Sequence, residues 1–238
     1  MIDALKLHHE ALVIDALVYH CDGDVADLRA GGINALNVTT CHFEADFPQA
    51  CSEIARWHGI ISRPNSPWVL VETAADLERA KLEGKVGIIM GLQNGRPVAD
   101  ELDRLHFFSR LGLRIMQLTY NFRNAFGDGC LEPDEAGLTR LGRDAVRIMN
   151  QIGIAIDLSH VGQRTMLDAI AASSQPVLVT HANARALANL ERNKTDDIIK
   201  AVAQGGGVIG ASIYGPMCWD QNPARKPSTI ISATLSTS

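Results

Sequence analysis

Long apolar runs are what this chain most plainly lacks. No hydrophobic stretch approaches the roughly 20 residues that a helix needs to cross a bilayer, which speaks against a membrane partner. The opening residues, MIDALKLHHEALVID, do not have the basic-then-apolar layout of a secretory signal. Positive charge is in deficit: 22 Lys and Arg against 27 Asp and Glu leave a net charge of −5 and a pI near 5.9. That balance offers no electrostatic footprint for nucleic acid. Cysteine is sparse, with five residues at 21, 41, 51, 130 and 218, an odd number without a C-x-x-C pair. Such scatter reads as reduced thiols of a cytoplasmic protein rather than a disulfide framework. What is present is a core: 238 residues, 46% of them hydrophobic, suffice for one large globular domain.

Seven strand-like runs recur along the chain: ALVIDAL (11–17), ALNVTTC (35–41), VGIIMGL (86–92), RIMQLTY (114–120), IAIDLSH (154–160), PVLVTH (176–181) and GVIGASIY (207–214). They are continuous rather than alternating, as in strands covered on both faces. Helical patterns separate them. In 137–153, Leu138, Leu141, Ala145, Ile148, Met149 and Ile152 recur at helical spacing and Gly153 supplies a stop. Residues 98–112, 165–173 and 195–206 read the same way, the last with Thr195 as its cap and Asp196 and Asp197 at its positive end. Alternating strand and helix implies a parallel sheet with right-handed crossovers. Seven strands are one short of an eight-stranded α/β barrel, in which functional residues gather at the C-terminal ends of strands.

Two of the runs stop on a histidine, His160 and His181, and Gln93 and Tyr120 stand at the ends of two others. One histidine at a strand end is commonly a hydrogen-bonded structural residue. Two on consecutive strands, aimed into one mouth, leave both readings standing: a structural pair, or a pair of metal ligands. Asp157, inside a strand, reads as a buried, hydrogen-bonded structural residue, with orientation of a neighbouring side chain as the alternative, and the long segment 121–137 as a loop that shapes access to the mouth.

The ordered series QLTYN (117–121), DLSHVG (157–162), THANARAL (180–187), RN (192–193) and GGVIG (206–210) resembles the renal (membrane) dipeptidase family, metallopeptidase family M19. The similarity runs from about Leu12 to Trp219 and is dense from residue 114 onward. It implies a TIM-type (β/α) barrel of the metal-dependent hydrolase type, two zinc ions, and hydrolysis of dipeptides. By this resemblance His160 and His181 match the two histidines that bind one zinc, Arg192 the arginine that holds the substrate carboxylate, and Tyr120 a substrate-contacting position. A guanidinium suits a carboxylate because it offers two parallel donors. The family's dimers imply a homodimer.

The chain departs from the family pattern in three places. The opening strand of the family carries D-G-H-x-D, whose histidine and aspartate bind the other zinc; here Leu17 and Tyr19 replace them. Neither offers a usual zinc donor. His20 and Asp22 form an H-x-D three residues later, but that slip moves each side chain about 10 Å and changes its face. The bridging glutamate is replaced by Gln93, a neutral amide that cannot offset two cations. The expectation is therefore one zinc ion at most, at His160 and His181, with Gln93, His20 and Asp22 as weaker candidates for a further ligand.

Finally, the family continues into an eighth strand ending in a catalytic aspartate, whereas this chain turns to STIISATLSTS. The reading is an incomplete barrel over 1–228, lacking the eighth strand, and an aberrant tail over 229–238. One choice of codons for that tail, shifted by one base, encodes an acidic helix start, as a change of reading frame would leave. Two functions follow: a metal-dependent hydrolase of dipeptides or similar small amides, or a non-catalytic barrel that binds a small carboxylate.

Overall fold

The computed structural model describes residues 3–19 and 25–219. Eight strands alternate with helices: β1 (Ile14–Val18), β2 (Ala35–Thr39), β3 (Trp68–Leu70), β4 (Val86–Leu92), β5 (Leu113–Gln117), β6 (Ala155–Asp157), β7 (Leu178–Ala182) and β8 (Val208–Ala211). The helices are α1 (Ala4–Glu10), α2 (Val25–Ala30), α3 (Phe47–Ile61), α4 (Ala74–Leu82), α5 (Asp103–Arg110), α6 (Arg140–Ile152), α7 (Gln163–Ala172), α8 (Asp196–Gln204) and the short α9 (Gly215–Cys218). Every strand pairing is parallel, in the order β1-β2-β4-β5-β6-β7-β8. The result is a nearly closed α/β barrel of the TIM type.

All seven runs counted in the sequence lie in this sheet. The additional strand, β3, is three residues long and too brief to carry a periodic signal. It pairs with Val86–Ile88, while β5 pairs with Met90–Leu92, so the two share one edge of β4 and β2 lines the other. The barrel is not laced shut. Among the described residues no ladder joins β8 to β1, although a Cβ built on Gly210 of β8 would lie 3.4 Å from that of Ala16 in β1. Residues 220–238, which include the tail read at 229–238, lie outside the described residues, as do His20 and Asp22.

Local chemistry explains the elements. The central strands are rich in apolar residues because both their faces are covered: Leu36, Ile88, Met90, Leu92, Met116, Ile156 and Val179 are all buried. Burying each such side chain contributes about 1.5–3 kcal/mol. Helix α3 opens with a capping box, Asp46 accepting from the Gln49 amide at 3.0 Å and Gln49 Oε1 from the Asp46 amide at 2.9 Å. Helix α6 ends on Gly153 at φ 76°, a left-handed cap. Two sequence expectations are corrected. The helix expected over 98–112 starts only at Asp103, because Ala99 is held at φ 52°, outside helical space. Thr195 precedes α8, yet its hydroxyl makes no cap bond and is buried without a partner among the described residues.

Among the described residues no helix is long and apolar enough to cross a membrane. Cys41, Cys51, Cys130 and Cys218 are free thiols.

Candidate metal centre at the barrel mouth

The histidine run 154–160 does not stay a strand to its end. Ladder pairing stops at Asp157, whose Oδ1 accepts from the Ser159 amide at 3.0 Å and turns the chain away from the sheet. His160 sits in that turn, whereas His181 is still inside β7. The two backbones thus approach from different directions, and the rings meet: Nε2 of His160 lies 2.9 Å from Nε2 of His181.

Around them is a dense polar frame. Asp157 is buried and accepts from Gln117 Nε2 (2.8 Å), the Ser159 amide and hydroxyl (3.0 and 2.6 Å), and the Thr180 amide and hydroxyl (3.1 and 2.7 Å). Asn121 Oδ1 lies 2.7 Å from His160 Nδ1, and Thr180 Oγ1 lies 2.8 Å from His181 Nδ1. Asn121 is held at φ 60°, a left-handed conformation that asparagine tolerates better than most residues. The Leu131 amide donates to its carbonyl at 2.8 Å, and a Cβ on Gly129 would collide with that carbonyl carbon at 2.1 Å. The loop is tied to the site a second time, where the Cys130 amide donates to the His160 carbonyl at 3.0 Å.

Two cations stand behind the rings. Arg192 donates through Nη1 to the Ser159 carbonyl and through Nη2 to the His181 carbonyl at 3.2 Å, and Lys194 Nζ donates to the same Ser159 carbonyl at 2.7 Å. Burial holds the Lys194 ammonium down at about 7, with the Arg192 charge adding to the effect. His181 is lowered to about 4 by burial, and by Arg192 and Lys194 against the opposing pull of Asp157. His160 is lowered well below its ordinary range by burial and by the charges of Arg192, His181 and Lys194. Both imidazoles are therefore neutral at pH 7, the state a metal requires of its ligands.

Aromatic rings form one wall of the mouth. Tyr120 stacks on His160 with centroids 3.9 Å apart and planes 20° from parallel, and Phe43 stacks on Tyr120 at 3.9 Å and 6°. Elsewhere on the rim, Gln93 is buried and its Nε2 donates to Thr39 Oγ1 at 2.6 Å. Leu17 is half-buried and Tyr19 is 41% exposed. Beside them opens a cavity of about 550 Å³ lined by Tyr19, Thr39, Thr40, His42 and Glu53 among others.

The donor set can be matched to an ion. Two neutral imidazole nitrogens converging within 2.9 Å fit a single zinc-type ion. Among the described residues no group of three or more His, Cys, Asp or Glu side chains could hold a metal. The rim of Leu17, Tyr19 and Gln93 does not fit a second ion. Sequence reasoning missed Asn121, Phe43, Thr180 and Lys194 as parts of the site. The histidine-ending runs pointed to Thr180 only as a neighbour, and no local signal marks the other three.

The parallel β/α barrel thus presents two converging imidazoles at the C-terminal end of its strands. The family model described as membrane dipeptidase, peptidase family M19, matches residues 13–229, and the chain belongs to that family. An uncharacterized dipeptidase of Schizosaccharomyces pombe is 32% identical over 176 residues, covering 71% of this chain and 41% of that protein. A dipeptidase of Claviceps purpurea, tcpJ, is 33% identical over 158 residues, covering 66% of this chain and 37% of that one. The matched part thus spans about two fifths of the length of these curated relatives. Among solved structures, an amidohydrolase from Pseudomonas aeruginosa is similar with a TM-score of 0.86 and 34% identity, over 91% of this chain and 67% of that one. A metallo peptidase from Rhodobacter sphaeroides, solved with a phosphinate mimic of the dipeptide L-Ala-D-Ala, shares the fold at a TM-score of 0.84 and 20% identity, over 95% of this chain and 81% of that one.

Proposed function

We propose that this protein is a metal-dependent hydrolase of dipeptides or similar small amides bearing a free carboxylate, working with one zinc ion held by His160 and His181. The observation that carries the reading is the 2.9 Å approach of the two Nε2 atoms at the barrel mouth. Membership of the M19 family supports the reaction class, and the Rhodobacter structure with a dipeptide mimic supports the substrate class. Zinc at this point supplies a polarising charge for a carbonyl and a readied water. The chain's own groups do the rest. Arg192 and Lys194 make the rim electropositive, which favours the carboxylate end of a substrate, and Arg192 is the group to grip it. The Phe43–Tyr120 stack shields one face of His160 and gives the substrate an apolar wall. We place the protein in the cytoplasm, as a homodimer.

A second reading is favoured by one specific observation: the opposite rim carries Leu17, Tyr19 and a Gln93 amide donating to Thr39, with no carboxylate among them. On that reading the barrel binds a small carboxylate without turning it over. Hydrolysis of Ala-Ala by chelator-treated full-length protein, before and after adding back zinc, separates the two. The hydrolase reading expects zinc-dependent turnover, near one zinc per chain, and loss of both in H160A and H181A. Binding of the dipeptide without turnover overturns it in favour of the second reading, and two tightly held zinc ions per chain overturn the single-ion centre.

A further inference from the structure

At 2.9 Å, the two Nε2 atoms of His160 and His181 are at hydrogen-bond distance, and such a bond needs one proton between them. Both ring protons are already claimed. Asn121 Oδ1, 2.7 Å from His160 Nδ1, is a pure acceptor, and the Cys130 thiol also points at it from 3.6 Å. The His160 proton is therefore on Nδ1, and its Nε2 is a bare lone pair. His181 Nδ1 faces the Thr180 hydroxyl, which owns a single proton. That proton has a better destination: Asp157 Oδ2 at 2.7 Å, a carboxylate oxygen whose hydrogen bond is charge-assisted. The Ser159 hydroxyl is committed to the other oxygen of the same carboxylate at 2.6 Å. Thr180 Oγ1 is left to accept, so the His181 proton is also on Nδ1, and its Nε2 is a second bare lone pair. Two lone pairs facing each other in a frame this well bonded repel unless a cation stands between them.

We infer that Asn121 and the Asp157–Thr180 pair are positioning residues that lock both imidazoles in the Nδ1–H form, so that His160 and His181 turn paired lone pairs toward one divalent cation of the imidazole-preferring class. This deepens the zinc reading above and rests on it only for the identity of the ion. Outer partners of this kind fix the tautomer and orientation of metal-binding histidines, and their loss costs about 10–100-fold in metal affinity.

The test is long-range ¹H–¹⁵N correlation NMR on ¹⁵N-histidine-labelled, zinc-free, full-length protein at pH 7, assigned with H160A and H181A, alongside zinc affinity by competition with a chromogenic chelator. Both rings are expected as the Nδ1–H tautomer. N121L and T180V should weaken zinc binding about 10–100-fold, whereas N121D and T180S, which keep an acceptor oxygen, should hold it within a few-fold of the parent. An Nε2–H tautomer on either ring overturns the inference, as does a folded T180V or N121L that binds zinc as tightly as the parent. The NMR result stands on the unmodified chain, so a variant that fails to fold does not remove the test. If the parent shows both Nδ1–H tautomers but binds no zinc, the zinc reading fails while the locking of the rings stands.

Discussion

On the β6–β7 side of the mouth Gln117, Ser159 and Thr180 converge by hydrogen bonds on Asp157; on the β1–β4 side the corresponding strand ends carry a leucine, a tyrosine and an amide donating to a threonine. Strand pairing along β1, β2 and β4 is nonetheless parallel throughout, with one register shift between Asp15 and Val18 of β1 and an unbroken register between β2 and β4. The framework of a barrel is set by apolar strand interiors, while its chemistry is set by the few residues past the strand ends. One rim can thus lose its donors without loss of the sheet that presents them. The two histidines are held by hydrogen bonds with Asn121 and Thr180, His160 also by the stacked Tyr120 ring.

Four substitutions test how far the two sides differ. The largest effect is expected for D157A, which strands five donors in a buried space and should lower stability by about 3–5 kcal/mol, read as a shift in the denaturant midpoint. Equal loss in D157A and Q93L would erase the distinction between the sides. Next, K194M should raise stability at pH 7 by about 1–4 kcal/mol, because it replaces a buried cation with an apolar chain of similar reach. The sign in pH follows from the Lys194 value of about 7 against an ordinary 10.5. Between those values the unfolded chain holds a proton that the folded chain has released, so this group makes stability rise with pH across that window. K194M should flatten that slope, measured by urea unfolding from pH 7 to 10.

Third is D128N, in the loop that carries Asn121. Burial alone would raise the Asp128 carboxyl, but Arg123 and the Gly137 and Ala136 amides outweigh it and hold the group below its ordinary 3.8. A lowered carboxyl contributes stability that is present above 3.8 and fades as pH falls through its folded value. D128N should therefore cost about 1–3 kcal/mol at pH 7, with the gap to the parent closing on acidification. The smallest effect is expected for Q93L, about 0.5–1.5 kcal/mol for one hydrogen bond on the sparse side of the mouth.

The barrel and the histidine pair were legible in the sequence because continuous apolar runs ending in His160 and His181 carry both signals at once. The three-residue β3 was not, since Trp68–Leu70 is shorter than any period it could display. Asn121 was invisible for a different reason. Its role depends on a left-handed backbone pinned by Gly129 and Leu131, a contact that only the folded loop creates. No sequence pattern singles out Lys194, and only the packing of β7 and the turn after β6 makes it a buried donor to Ser159. Asp157 reads from the sequence as structural or as orienting a neighbour; its five bonds agree with the first, and only interatomic distances identify the neighbour, the His181 ring reached through Thr180.

The unlaced join between β8 and β1 carries a mechanical meaning. A cylinder whose staves are clasped all round resists dilation everywhere, but one with a slit yields there first. Ile14 and Val208 are 42% and 63% exposed on the two lips, and the imidazole pair lies close to one of them, because β7, which carries His181, pairs directly with β8. Any widening of the join would therefore reach His181 before His160, which stands one strand further from the lip.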